Sequence, residues 1–88
     1  MKMKPMYEER PITTNFRCAK ATRDMIVMEP VNRQHIWEKE GAKTDIPNIN
    51  IIPNDEIRKT LGNPQVGDVR EMTVNVVIQT GFQIDYDA

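Results

Sequence analysis

The sequence predicts an α+β fold that is mostly β: a small antiparallel β body with a short helical turn, carrying a long extended N-terminal arm. Three observations predict it. Apolar residues alternate with polar ones from Met72 to Ile78, the period of a half-buried strand. A capped helical turn fits between Asn54 and Gly62, and no periodicity of 2 or 3.6 persists from Met1 to Arg23. The chain therefore divides into residues 1–45, an extended arm with little structure of its own, and residues 46–88, a small β-rich body.

From the N-terminus, Pro5 and Pro11 disfavour helix in the residues before them. An extended arm is expected, with at most a helical turn at "RCAKATRD". "DMIVMEPV" reads as a short buried strand ended by Pro30. In "NRQHIWEKEG", Asn32 suits an N-cap and Gly41 a C-terminal stop, so residues 33–40 are read as two helical turns. Ile49 and Ile51 alternate with Asn48 and Asn50 between Pro47 and Pro53, as in a short edge strand. In "NDEIRKTLG", Asn54 is the N-cap, acids open the turn, bases close it, and Gly62 stops it. Ile57 and Leu61 share one face of that turn.

The final strand carries Met72, Val74, Val76 and Ile78 on one face. The even-numbered phase continues through Phe82, Ile84 and Tyr86. A three-residue loop at Gln79-Thr80-Gly81 would keep both apolar sets together, so a hairpin is expected there. The alternative is one long strand bent at Gly81.

Eighty-eight residues with 39% hydrophobic content, six prolines and five aromatics bound what this fold can stabilise. Ordering costs about 1.5 kcal/mol per residue, and a chain this short rarely offsets that without a metal, a disulfide or a partner. One cysteine, Cys18, rules out an internal disulfide, and one histidine, His35, makes no recognised metal spacing with it. No cofactor motif is present. Assembly with a partner remains. No apolar run approaches the 18 residues of a membrane span. "MKMKPMYEER" lacks the apolar stretch of a secretory signal.

Charge is uneven. Residues 1–23 hold six bases and two acids, a net of +4; the rest hold six bases and eleven acids, a net of −5. A basic arm on an acidic body suits an acidic surface, with incidental contact to nucleic acid through bases interleaved with Tyr7 and Phe16. The acidic body argues against a dedicated nucleic-acid binder. His35 near Glu38, Cys18 between Arg17 and Lys20, and the Asp85 and Asp87 pair are the only groupings with catalytic chemistry. Each reads better as ordinary surface or structure, so no enzyme is expected. The residues set to meet a partner are Tyr7, Phe16, Met25, Ile26 and Trp37 on the arm, and Ile57, Leu61, Val74, Val76 and Phe82 on the body.

The stretch "IPNINIIPNDEIRKTLGNPQVGDVREMTVNVVIQTG" resembles the small accessory proteins of tailed-bacteriophage capsids, often called capsid staple or minor capsid proteins. The shared parts are the Pro-bounded strand from Pro47 to Ile52, the acidic turn from Asp55 to Gly62, the turn from Pro64 to Asp68, and the valine-rich strand from Met72 to Gln79. The resemblance implies a structural virion protein, made in the host cytoplasm, whose arm clamps neighbouring major capsid subunits in many symmetric copies. It implies no cofactor, no membrane and no small-molecule substrate. A small phage-encoded inhibitor that occludes a host enzyme is the alternative use of the same arm.

Overall fold

A computed structural model describes residues 2–39 and 41–86 of the chain. The Asp85–Asp87 carboxylate pair is thus half outside the described residues, at Asp87. In chain order the elements are β1 (Lys2–Ala21), β2 (Ile26–Pro30), β3 (Gln34–Trp37), β4 (Ala42–Asp45), β5 (Ile49–Ile51), α1 (Asp55–Leu61) and β6 (Val69–Asp85). The fold is mostly β with one short helix, as the sequence predicts. A four-stranded antiparallel sheet runs β5-β2-β1-β6, and β3 with β4 forms a separate hairpin.

The N-terminal segment is extended, but it is also the spine of the fold. β1 pairs with β6 along its whole length, from Lys2 opposite Asp85 to Arg17 opposite Val69. Even-numbered β1 residues face the core: Ile12, Phe16 and Cys18 are buried there with Ile26, Met28, Ile46, Val76 and Ile78. Five of those eight come from residues before 45, so the expected boundary at residue 45 separates no packed unit. The "RCAKATRD" helical turn is likewise replaced by strand and the tight turn after it. The β1 alternation was hard to see because the polar Thr14 interrupts it and its partner strand lies some 60 residues away in sequence.

β2 covers only the last third of β1, pairing from Phe16–Pro30 to Ala21–Ile26, with Ala19 as an extra residue at a bulge. Among the described residues, β1 before Phe16 has β6 as its one ladder neighbour, save for one bond from Val31 N to Asn15 O. Both Pro5 and Pro11 fall in this half, the setting in which a strand tolerates proline. The result is a sheet that narrows to a two-stranded ribbon, and a molecule of 53 × 25 × 17 Å.

In place of the helix expected at residues 33–40, β3 and β4 pair as a β-hairpin. Ile36 and Trp37 are adjacent, which makes no helical stripe but suits strand alternation: Trp37 and His35 are half-buried while Gln34 and Ile36 are exposed. Gly41, at φ 67°, serves the turn into β4 rather than a helix end. The Trp37 indole Nε1 donates to Thr44 Oγ1 at 3.1 Å, and its ring packs against the core.

α1 follows its sequence signals. Asn54 Oδ1 accepts from Ile57 N at 2.8 Å, and Gly62 closes the helix in the left-handed region at φ 69°. Arg58 Nη2 reaches the carbonyls of Thr22 and Arg23 at 2.8 and 3.1 Å, tying the helix to the β1–β2 turn. Arg70 Nε donates to Leu61 O at 2.9 Å, binding the helix end to β6. The turn before β6 is locked by Gln65 N to Asp68 Oδ2 and by bonds joining Cys18 with Gly67 and Asp68.

The hairpin expected at Gln79-Thr80-Gly81 does not form. β6 runs unbroken from Val69 to Asp85, the alternative of one long strand, because β1 supplies a partner for both halves. Met6 pairs with Gly81 and Tyr7 with Gln79, leaving Thr80 as an extra residue in a bulge. One extra residue reverses the facing of everything beyond it. Phe82 and Ile84 therefore leave the core face and lie beside Pro5 and Met3 on the opposite one. On the core-side face of the tip, Lys4 Nζ meets Asp85 Oδ2 at 3.6 Å.

Candidate functional site

The ribbon formed by the first half of β1 and the second half of β6 presents two unlike faces and an open edge. Its core-side face is charged. Arg10 Nη2 bonds Glu8 Oε2 at 3.1 Å, and the Arg10 guanidinium lies 5.4 Å from the Trp37 ring centre, within cation–π range. Its opposite face carries Met3, Tyr7, Val77, Phe82 and Ile84, all exposed, at 62%, 63%, 62%, 57% and 45%. Bulk apolar side chains gathered on one exposed face mark an interaction surface more often than scattered ones do.

The outer edge of β6 is the second feature. β6 is the last strand of the sheet over all 17 residues, and it contains no proline and no lysine. Natural proteins usually blunt such an edge with prolines, lysines, bulges or a covering loop. Here, among the described residues, the strand has no outer ladder partner, a bulge interrupts it at Thr80, and β4 packs against part of it. The β1 edge differs, since Pro5 and Pro11 break its donor row.

A third feature lies at the other end of the molecule. Ile51, Ile57 and Leu61 line an open hollow with Thr60 and Glu56 beside α1. These apolar side chains are half-buried, and Ile52 next to them is 79% exposed.

The groups with catalytic potential are not assembled into a site. His35 stacks edge-on to Trp37, with ring centres 4.6 Å apart, which makes it part of the hairpin's packing. Cys18 is 1% exposed, its Sγ directed at Lys20 O at 3.4 Å, so neither solvent nor substrate reaches it. Among the described residues there is no group of three or more His, Cys, Asp or Glu side chains able to hold a metal. No helix among them is long and apolar enough to cross a membrane.

The ten expected partner residues separate by burial. Tyr7 and Phe82 are exposed on the ribbon's apolar face, while Ile57 and Leu61 border the hollow. Met25, Trp37 and Val74 are half-buried. Phe16, Ile26 and Val76, at 0%, 0% and 5% exposure, are core residues of this chain and are withdrawn from any outer surface. Their strand propensity and bulk mark them equally as core or anchor, and β1 joining the sheet decides for core. Sequence reasoning missed Met3, Val77 and Ile84 as exposed apolar residues of this face. The signal was a change of parity in β1, where Met3, Pro5 and Tyr7 are odd but Ile12, Phe16 and Cys18 are even.

Comparison with protein-family models, with curated proteins and with solved structures finds no match to this chain.

Proposed function

We propose that this chain is a non-catalytic structural protein that works by assembly, as a minor capsid protein tying neighbouring major capsid subunits together. The observation that carries this reading is the 17-residue strand β6, which among the described residues has no ladder partner on its outer side and ends in a ribbon projecting beyond the core. An extended segment of a neighbouring subunit can add to that edge by main-chain hydrogen bonds, with alternate side chains supplying selectivity. The hollow at Ile57 and Leu61 offers a second contact at the far end of the molecule. Two contact points separated along a 53 Å axis suit a protein that bridges subunits.

Resemblance to capsid staple proteins supports the choice of partner. The test is affinity capture of the tagged chain from the cells that make it, followed by native mass measurement. Co-elution with a shell-forming protein in many symmetric copies is the expected result. Capture of an enzyme, with one or two copies of this chain per target, would replace the reading by an inhibitor. Proline placed at Val74 or Val76 would confound folding, so edge pairing is tested at an exposed position: Asn75→Pro is expected to abolish shell association.

A further inference from the structure

We propose that the apolar face of the ribbon is covered by the same face of a second copy of this chain, so that the unit that assembles is a two-fold dimer. The inference deepens the assembly reading, and its physical basis is independent of which partner takes the β6 edge.

The face is almost uncharged. On β6 every residue on this side from Thr73 to Ile84 is neutral, and on the matching β1 stretch from Met3 to Thr13 the single charge is Glu9; Glu71, opposite Asn15, lies just beyond. A partner with a charged surface would lose hydration there without gaining counter-charges, whereas a second copy brings a matching neutral face. Positioning follows from the pairing. Ile84 lies opposite Met3 and Phe82 opposite Pro5, with Tyr7 and Val77 diagonal to each other across the next step. These five large side chains form one continuous strip.

The strip is large enough. Tyr7 and Phe82 are the aromatic pair, each able to bury about 150–250 Å², and with the aliphatic Met3, Val77 and Ile84 the five, 45–63% exposed, present roughly 500 Å² per copy. Two copies together remove about 1,000 Å², the level at which a specific interface begins. Structural need points the same way. A two-stranded ribbon is marginal in water on its own, and a second ribbon about 10 Å away supplies the missing layer.

An isologous contact also makes sense of shape. Ribbons stacked in opposite directions place the two bodies at opposite ends, with both β6 edges and both α1 hollows left open. The dimer is then a double-headed strut, each head free to engage a shell subunit.

Sedimentation equilibrium of the full chain tests this, between about 1 µM and about 200 µM, a range that brackets micromolar dissociation constants. The expected result is a concentration-dependent mass rising from 10.2 kDa to twice that value. Phe82→Asp is expected to weaken self-association by thirtyfold or about that, the effect of losing one central anchor. Tyr7→Ser is a milder second variant at an exposed position, in case Asp disturbs the ribbon. Met6→Asp, on the charged face of the same ribbon, is expected to leave the dimer intact. A wild-type monomer throughout the range would overturn the proposal, as would a dimer that ignores both Phe82→Asp and Tyr7→Ser. The two readings fail separately: a monomer that still captures shell protein removes only the dimer, and a dimer with no shell partner removes only the capsid assignment.

Discussion

The hydroxyls of Thr13 and Thr73, sixty residues apart in sequence, lie 2.7 Å apart across the β1–β6 ladder. This contact shows how the fold is closed: the first strand of the chain is zipped to the last. It is exposed, and cross-strand pairs of this kind contribute about 0.2–1 kcal/mol. A double-mutant cycle with Thr13→Val and Thr73→Val is expected to return a coupling below about 1 kcal/mol in urea unfolding. A larger value would mean that the register itself depends on this pair.

Phe16 is the residue on which the union of arm and body depends most. It is fully buried in the last third of β1, where β2 and β6 flank the strand on both sides. Phe16→Ala is expected to cost about 3–5 kcal/mol, a large share of a small domain's stability. Circular dichroism during urea unfolding reads the loss. If residues 1–45 were a detached arm, the same change would shift the midpoint hardly at all.

Trp37, the only tryptophan, reports on the hairpin that covers the sheet. Arg10 lies over its ring and is also paired with Glu8. Arg10→Ala is expected to change the indole emission and to lower stability by about 0.5–1 kcal/mol, the worth of a partly exposed cation–π contact. Glu8→Gln should leave the emission maximum near its wild-type position, because Arg10, not Glu8, lies over the ring.

Helix α1 is held by its two ends more than by its face. Asn54→Ala removes the acceptor of the Ile57 amide and is expected to cost about 1 kcal/mol. Gly62→Ala forces a side chain into φ 69° and is expected to cost about 1–2 kcal/mol. Nothing near Gly62 blocks the added methyl, whose closest neighbour would be Arg70 Nη2 at 3.7 Å. Thermal unfolding of the two variants separates cap loss from backbone strain, since Gly62→Asn is expected to recover part of the loss and Asn54→Asp most of it.

The parts legible in sequence were those fixed by local chemistry. Asn54 and Gly62 mark α1, Ile49 with Ile51 marks β5, and the valines of β6 mark a strand. What was illegible depended on distant partners. Asn32 and Gly41 imitate helix caps, yet Asn32 Oδ1 accepts from the nearby Gln34 N at 3.3 Å and Gly41 turns a hairpin. The even-numbered apolar run of β6 looked continuous through Ile84, and only its pairing with β1 reveals the extra residue at Thr80. That bulge carries the candidate site, because it moves Phe82 and Ile84 away from the core. Tyr7 and Phe82 are exposed as an outward role requires and Ile57 and Leu61 are half-buried, whereas Phe16, Ile26 and Val76 lie in the core.

The most direct test of the account is amide hydrogen exchange on the purified chain, at a concentration where it is monomeric and at one where it is self-associated. Core amides at residues 12–18, 26–28 and 74–78 are expected to be protected at both concentrations, being buried in the chain's own fold. Ribbon amides at residues 2–7 and 79–85 are expected to exchange rapidly when dilute and to slow markedly as association sets in. Ribbon protection that is equally strong at both concentrations would contradict the account, since the tip would then be stable without anything to cover it.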